Sequence, residues 1–161
     1  MKVAVSLLII SEQDIASTIQ GDALLGRGGW TETISVEGDR AWAHDTAPVH
    51  IWWLNDRVLW QDGLDERYEA GAKVGVSEVI FLSRHFAASG RPSLTLHVIG
   101  VPGESPVGEV AEFGGVKGEV VLPNPRFASW YRRMCQAAED HSLISEFELT
   151  IETTHHGPSL S

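Results

Sequence analysis

The chain has 161 residues, of which 43% are hydrophobic and 21% are charged, and its formal net charge is −10. This length and composition predict a folded globular domain of ordinary size and exclude an intrinsically disordered chain. The acidic balance argues against a general binder of polyanions, because proteins that bind nucleic acids usually carry a basic surface. The single cysteine, Cys135, excludes a disulfide framework and a multi-cysteine zinc site, and indicates a reducing compartment.

The N-terminal apolar segment is similar to the start of a signal peptide, but a buried first strand explains it better. The apolar run over residues 3–10 follows a single lysine, and no small-residue cleavage pattern comes after it. No run in the chain approaches the roughly 18 apolar residues that a membrane span requires. The sequence therefore predicts a soluble, cytoplasmic protein with no membrane partner.

Hydrophobic periodicity and turn residues predict alternating strands and helices in the first half of the chain. Ser11 is the predicted N-cap of the first helix, with Asp14 three residues later as in a capping box. The predicted elements are a strand over 3–10, a helix that ends at Gly26, strands over 30–36, 48–54 and 58–60, and a helix over 65–73 that Gly75 closes.

The second half carries clearer signals. Strands are predicted over 76–82, 93–100 and 146–153, and Pro123 and Pro125 precede a strongly amphipathic helix. The apolar face of that helix contains Phe127, Trp130, Tyr131, Met134 and Ala138. Strands interleaved with helices predict an α/β fold, a mixed β-sheet flanked by helices, in a single domain over residues 1–161.

Four of the seven histidines lie at or near the ends of predicted strands. His85 follows the strand 76–82, His97 lies in the strand 93–100, and His155 and His156 follow the strand 146–153. If these strands are neighbours that end at one edge, the four imidazoles and the Glu152 carboxylate converge there. The other three histidines have simpler interpretations: His44 as a loop surface residue, His50 as a packed strand residue and His141 as the end of the amphipathic helix.

Convergent imidazoles have two chemical uses, and the spacing does not choose between them. Imidazole and carboxylate groups bind zinc, and a catalytic zinc site keeps one open position for water. Zinc then lowers the pKa of the bound water and polarises an ester carbonyl. Alternatively, one histidine acts as a general base without a metal. Ordinary polar residues at strand ends are a third interpretation.

Three ordered motifs resemble the signatures of the archaeal and plant type of D-aminoacyl-tRNA deacylase. They are Phe81-Leu82-Ser83-Arg84-His85, the segment from Pro92 to Gly100 that contains Thr95 and His97, and Glu152-Thr153-Thr154-His155-His156-Gly157-Pro158. The resemblance implies an α/β fold akin to phosphorylase and peptidyl-tRNA hydrolase domains. It also implies a zinc-dependent hydrolase that cleaves the ester between a D-amino acid and the 3′ end of tRNA.

The resemblance also implies roles for the residues that match the motifs. As catalytic residues it implies His97, Glu152, His155 and His156. As zinc ligands it implies His85, His97, His155 and His156. As substrate-binding residues it implies Ser83, Arg84, Thr95 and Gly157. No DNA partner is expected.

The chain differs from the family in length, because family members continue well past the His-His-Gly-Pro motif. We therefore expect the fold to be incomplete at the C-terminus and the chain to correspond to the N-terminal portion of the family domain. Two alternatives follow: a non-catalytic half-domain that needs self-association or a partner chain, and a hydrolase or phosphorylase of the same fold that acts on another small ester or nucleoside. A tRNA substrate also requires a local basic patch, for which the candidates are Arg84, Arg91, Arg126, Arg132 and Arg133.

Overall fold

A mixed β-sheet and two helices form the first part of the chain, and a strand pair with a third helix forms the second. The computed structural model describes residues 4–58, 61–85, 90–98 and 124–152, which divide into two compact units at residues 84 and 85. The first unit contains β1 (Ala4–Ser11), α1 (Ile15–Gly26), β2 (Trp30–Glu32), β3 (Arg40–His44), β4 (Val49–Leu54), α2 (Leu64–Ala72) and β5 (Gly75–Leu82). The second contains β6 (Ser93–His97), α3 (Phe127–Asp140) and β7 (Glu148–Glu152).

The sheet of the first unit has the strand order β2-β3-β4-β1-β5. β1 is parallel to both β4 and β5, whereas β2, β3 and β4 pair antiparallel in sequence. The prediction of an α/β fold with a mixed sheet is therefore confirmed. The prediction of a single domain over the whole chain stays a prediction.

Both faces of the central strand β1 are buried, as expected of a strand that lies between two parallel neighbours. Leu7 and Ile9 pack on one face with Trp52 of β4 and Tyr68 of α2. On the other face, Ile10 packs in a cluster that leucines of α1 join. One helix thus covers each face of the sheet, and no helix in the described parts of the chain is long and apolar enough to cross a membrane.

The N-cap of α1 is Asp14, so the prediction of Ser11 was wrong. The Asp14 carboxylate accepts hydrogen bonds from the backbone N–H groups of Ala16 and Ser17, as an N-cap side chain does. Ser11 instead ends β1, where its N–H donates to Ser17 Oγ at 2.9 Å. The fully buried positions of α1 are Ser17 and Gly21, whereas Ile15 and Ile19 are exposed.

The strand predicted over 30–36 ends at Glu32, and β3 was missed. A tight turn explains both differences, because Val36 and Asp39 form an isolated antiparallel bridge. Glu37 and Gly38 between them have φ angles of 53° and 91°, the left-handed backbone of a two-residue hairpin turn. The returning segment pairs with β2 as β3, and His44 is the last residue of that strand. The prediction of His44 as a loop residue was therefore wrong.

Two smaller boundaries also differ. The helix α2 ends at Lys73, which adopts a left-handed conformation with φ of 60°, and Gly75 begins β5. The return strand predicted over 58–60 is not present at Val58, whose carbonyl accepts a hydrogen bond from the Gln61 N–H at 3.1 Å, and residues 59–60 lie outside the described residues.

The second unit pairs β6 with β7 in parallel, and α3 packs beside β6. The apolar face predicted for α3 is confirmed at Ala138, which is 1% exposed, whereas Trp130 is 41% exposed. His141 is the C-cap residue, and its backbone N–H donates to the last turn of the helix. Cys135 is half-buried.

Candidate functional site

One face of the β6–β7 pair is polar along its whole length. Side chains alternate along a strand, and the parallel register places residues of the two strands side by side. The residue pairs on this polar face are Ser93 with Glu148, Thr95 with Thr150, and His97 with Glu152. The opposite face carries leucine and isoleucine. The pattern therefore separates an apolar face from a face that can do chemistry.

His85 completes a cluster at the carboxyl end of this polar face. Its Nε2 lies 3.2 Å from Oε1 of Glu152, and its ring centroid lies 6.4 Å from that of His97. The His85 side chain is only 14% exposed, against 36% for Glu152. The structure thus brings together His85, His97 and Glu152, which three separate motifs supply. We call these three residues the His–Glu cluster.

Thr95 lies two residues before His97 on the same face. Its hydroxyl lies 2.7 Å from the hydroxyl of Thr150 and donates to Ser93 Oγ at 3.3 Å. The bond with Thr150 links the two strands immediately before the His–Glu cluster, and the bond with Ser93 lies within β6. Thr95 therefore contributes to the order of the site as well as being a predicted substrate-binding residue.

Ser83 and Arg84 belong to the first unit and lead directly into His85. They follow the carboxyl end of β5, and the backbone N–H of Arg84 donates to Oδ2 of Asp14 at 2.6 Å. Asp14 thus caps α1 and also fixes the chain one residue before His85. The remaining predicted site residues, His155, His156 and Gly157, lie outside the described residues.

The donor set of the His–Glu cluster suits zinc, since two imidazoles and a carboxylate are ligand types that zinc accepts. The arrangement itself joins His85 to Glu152 directly. Within residues 4–58, 61–85, 90–98 and 124–152, no group of three or more His, Cys, Asp or Glu side chains is arranged to bind a metal ion. The predicted zinc site stays a prediction.

Sequence reasoning did not single out Ser93, Glu148 or Thr150 as residues of the site face. The signal was present, because residues 93–97 alternate between polar and apolar as residues 148–152 do. What the sequence did not provide was the pairing of these two strands across about fifty intervening residues.

The first unit contains a separate cleft of about 740 Å³. It lies where β1 and β4 end, the edge of a parallel sheet that often binds ligands. The Arg40 guanidinium stacks 4.5 Å from the ring centroid of Trp42, and Trp53 Nε1 donates to the Glu12 carboxylate. The other lining residues are Gln13, Ile15, Thr18, Asp22, Leu25 and Asn55.

Burial shifts the pKa values of two side chains that contact each other, His50 of β4 and Tyr68 of α2. His50 Nδ1 lies 2.9 Å from the Tyr68 hydroxyl. Burial lowers the pKa of His50 and raises the pKa of Tyr68 to about 12. Tyr68 is buried and His50 is half-buried in β4, so the interpretation of His50 as a packed strand residue is confirmed.

Comparison with known proteins gives a consistent result. Residues 72–161 match the family model described as D-aminoacyl-tRNA deacylase. The chain is 39% identical to a D-aminoacyl-tRNA deacylase of Arabidopsis thaliana, over 96% of this chain and 48% of that protein. It is 31% identical to one of Archaeoglobus fulgidus, over 95% of this chain and 50% of that protein.

A solved structure is also similar. It is the crystal structure of a conserved protein of unknown function, with a TM-score of 0.77 and 29% identity, over 99% of this chain and 54% of that one. The chain therefore spans about half the length of the proteins it matches.

Proposed function

The chain belongs to the D-aminoacyl-tRNA deacylase family, and from this premise we propose that it supplies a site for hydrolysis of the ester between a D-amino acid and the 3′ end of tRNA. The observation that carries the proposal is the overlap of two findings. The family match covers residues 72–161, and the His–Glu cluster lies within that range. A tRNA substrate locates the activity in the cytoplasm, where translation takes place.

The contacts of the His–Glu cluster support a separate role for each of its residues. Glu152 orients the His85 imidazole, because its carboxylate lies within hydrogen-bond distance of Nε2. His97, opposite Glu152 in the strand register, serves as the acid–base group that moves a proton to or from the attacking water. Thr95 and the segment that contains Ser83 and Arg84 bind the aminoacyl end of the substrate, and so does Gly157.

We also propose zinc as the cofactor, bound by His85 and His97 together with His155 and His156; with zinc bound, His97 is a ligand, and the acid–base role described above belongs to the metal-free site. The support is the donor chemistry of the two imidazoles in the cluster. When bound at such a site, zinc lowers the pKa of a ligand water and polarises an ester carbonyl. The metal content of the purified protein tests this part: about one zinc per chain is expected in the wild type. An equal zinc content in His85→Ala and His97→Ala would contradict it.

The activity is tested by incubating the full chain with D-Tyr-tRNA and zinc and measuring the release of free D-tyrosine. We expect His97→Ala to lower the rate at least about 100-fold, the usual contribution of a positioned acid–base group. The matched control is His141→Ala, an exposed histidine whose cap contact is made by its backbone. Equal rates for wild type and His97→Ala would contradict the proposal.

A second proposal is that the chain acts only with another polypeptide, either a second copy or a separate chain. It is favoured by one observation, that the chain covers 48% of its Arabidopsis relative. Light scattering after size exclusion tests it, with deacylation measured on each peak. An active monomer would contradict this proposal and leave the first intact.

A further inference from the structure

The exposed surface of α3 presents arginine and tryptophan side chains in one stripe. Arg126, Trp130 and Arg133 are spaced i, i+4 and i+7, so they lie along one side of the helix. Both arginines are exposed, and Trp130 is 41% exposed although tryptophan is usually well buried. The helix packs through Ala138, which belongs to the same apolar face as Trp130 and lies farther from the two arginines. We call these three residues the α3 stripe.

The charge around the α3 stripe is opposite to that of the whole chain. The chain has 22 acidic and 12 basic residues, yet residues 124–138 contain three arginines and no acidic residue. The acidic residues of this helix, Glu139 and Asp140, come at its C-terminal end. The N-terminal part of α3 is therefore a locally basic segment of an acidic chain.

This order of charges does not stabilise the helix. The macrodipole favours acidic side chains near the N-terminus and basic ones near the C-terminus, and α3 has the reverse arrangement. Arg126 is the N-cap residue and makes no side-chain cap bond. The helix dipole therefore does not account for the position of these arginines.

The chemistry of the α3 stripe fits a nucleic acid. Guanidinium groups bind phosphates in a bidentate geometry, and an exposed tryptophan stacks on bases. Seven positions separate the two arginines, about 10 Å along the helix axis, so one phosphate cannot bind both. A ligand with several phosphates and flat bases satisfies all three side chains at once.

We propose that the α3 stripe binds the phosphate backbone of tRNA close to its aminoacylated 3′ end, an inference that rests on the proposed function and deepens it. The strand β6, against which α3 packs, carries Thr95 and His97. The stripe and the His–Glu cluster therefore belong to the same unit of the protein. Binding of this part of the tRNA by α3 would orient the ester toward β6.

The first test is tRNA binding by the full chain, measured by fluorescence anisotropy at several salt concentrations. We expect the double variant Arg126→Gln/Arg133→Gln to bind about tenfold more weakly. The slope of log affinity against log salt should fall by roughly 1.5, since each lost phosphate contact contributes about 0.7 to 0.9. The matched control, Arg27→Gln/Arg57→Gln, removes two exposed charges from the first unit and should bind like the wild type. The variant Arg126→Lys/Arg133→Lys should retain the slope.

The second test separates this inference from the proposed function. D-Tyr-adenosine carries the same ester but lacks the phosphate backbone of the tRNA. The double variant Arg126→Gln/Arg133→Gln should therefore hydrolyse D-Tyr-adenosine at the wild-type rate and show a raised KM only for D-Tyr-tRNA. An unchanged KM and salt slope for tRNA would overturn the inference while leaving the function intact. Stripe-dependent tRNA binding by a wild type that hydrolyses neither substrate would support the inference and overturn the function. Equal competition by polyglutamate would also overturn the inference, because the surface would then recognise acidic protein.

Discussion

Asp14 connects the start of α1 to the segment that leads into His85, and its removal should loosen both. Oδ1 accepts hydrogen bonds from Ala16 N at 2.9 Å and from Ser17 N at 3.4 Å. Oδ2 accepts the Arg84 N–H at 2.6 Å. One carboxylate thus receives three backbone donors, and the third lies one residue from the His–Glu cluster.

The cost of Asp14→Ala follows from these contacts. Loss of an N-cap side chain costs about 1 kcal/mol. A hydrogen bond to a charged group contributes about 1.5 to 3 kcal/mol, and we take the lower end because the Arg84 contact is exposed. The free energy of unfolding should therefore fall by about 2.5 kcal/mol. Asp14→Asn keeps a good cap through its amide oxygen, but its amide nitrogen cannot accept the Arg84 N–H, so it should cost about 1.5 kcal/mol.

Urea unfolding measures the whole change in the free energy of unfolding. Hydrogen exchange at the Arg84 amide measures the part that comes from the hydrogen bond between Arg84 and Asp14. A loss of about 1.5 kcal/mol at Arg84 corresponds to roughly tenfold faster exchange there. Asp22→Ala, an exposed aspartate on the same helix, is the control and should stay within about 0.5 kcal/mol of the wild type. Unchanged exchange at Arg84 in Asp14→Ala would refute the reasoning, whatever the effect on the helix.

Three further predictions concern packing, pH and the strand pair. A Cβ at Gly71 would lie 2.6 Å from Cγ1 of the buried Val36, so Gly71→Ala should destabilise the fold by about 1 to 2 kcal/mol in urea unfolding, whereas Gly26→Ala, with open space around it, should not. Burial raises the pKa of Tyr68 from its ordinary value of 10.0 to about 12. The contribution of Tyr68 to the free energy of unfolding, about 2 kcal/mol, is therefore fully present below pH 10 and is lost as the pH rises toward 12. An equal loss of stability over this pH range in the control variant Tyr68→Phe would contradict this prediction. Thr95→Val removes the 2.7 Å hydroxyl contact across the strand pair. It should speed amide exchange in both β6 and β7 about fivefold, for a loss of about 1 kcal/mol, while Thr95→Ser should not.

Most of the fold could be predicted because its elements have strong local patterns. β1 and β5 are dense in branched apolar residues, and α3 shows a clear helical period. β3 was missed because it is only five residues long and has Arg40 and His44 at its ends, and because the turn before it uses Glu37 in a left-handed conformation. That conformation is uncommon for any residue other than glycine. Local propensity therefore pointed to a continuous strand.

The N-cap shows a second limit of local patterns. Ser11 and Asp14 are both good cap residues, and the sequence alone does not say which of them ends the strand. The parallel register decides, because Ser11 pairs with Leu54 at the end of β4. The side chain of Ser11 then donates to the carbonyl of Asp56, and Asp14 is left to cap the helix.

The candidate site could be predicted in its members but not in its contacts. That His85, His97 and Glu152 belong together followed from their positions at strand ends, and the structure brings these three residues close to one another. The direct contact of His85 with Glu152 did not follow, since it depends on the path of the chain after β5. The roles of His155, His156 and Gly157, and zinc as a cofactor, stay predictions.

The register of β6 and β7 explains why the cluster forms at all. In a parallel pair, a slip of one residue would move every side chain of one strand to the opposite face. His97 would then lie beside Ile151 or beyond the end of β7, and the Glu152 carboxylate would be turned away from His85. The bond between Thr95 and Thr150 opposes such a slip, because a slipped strand would place the Thr95 hydroxyl against an apolar side chain and leave it without this partner. The threonine pair therefore acts on the site through the register, which is why a loss at Thr95 should appear in β6 and β7 together and not at residue 95 alone.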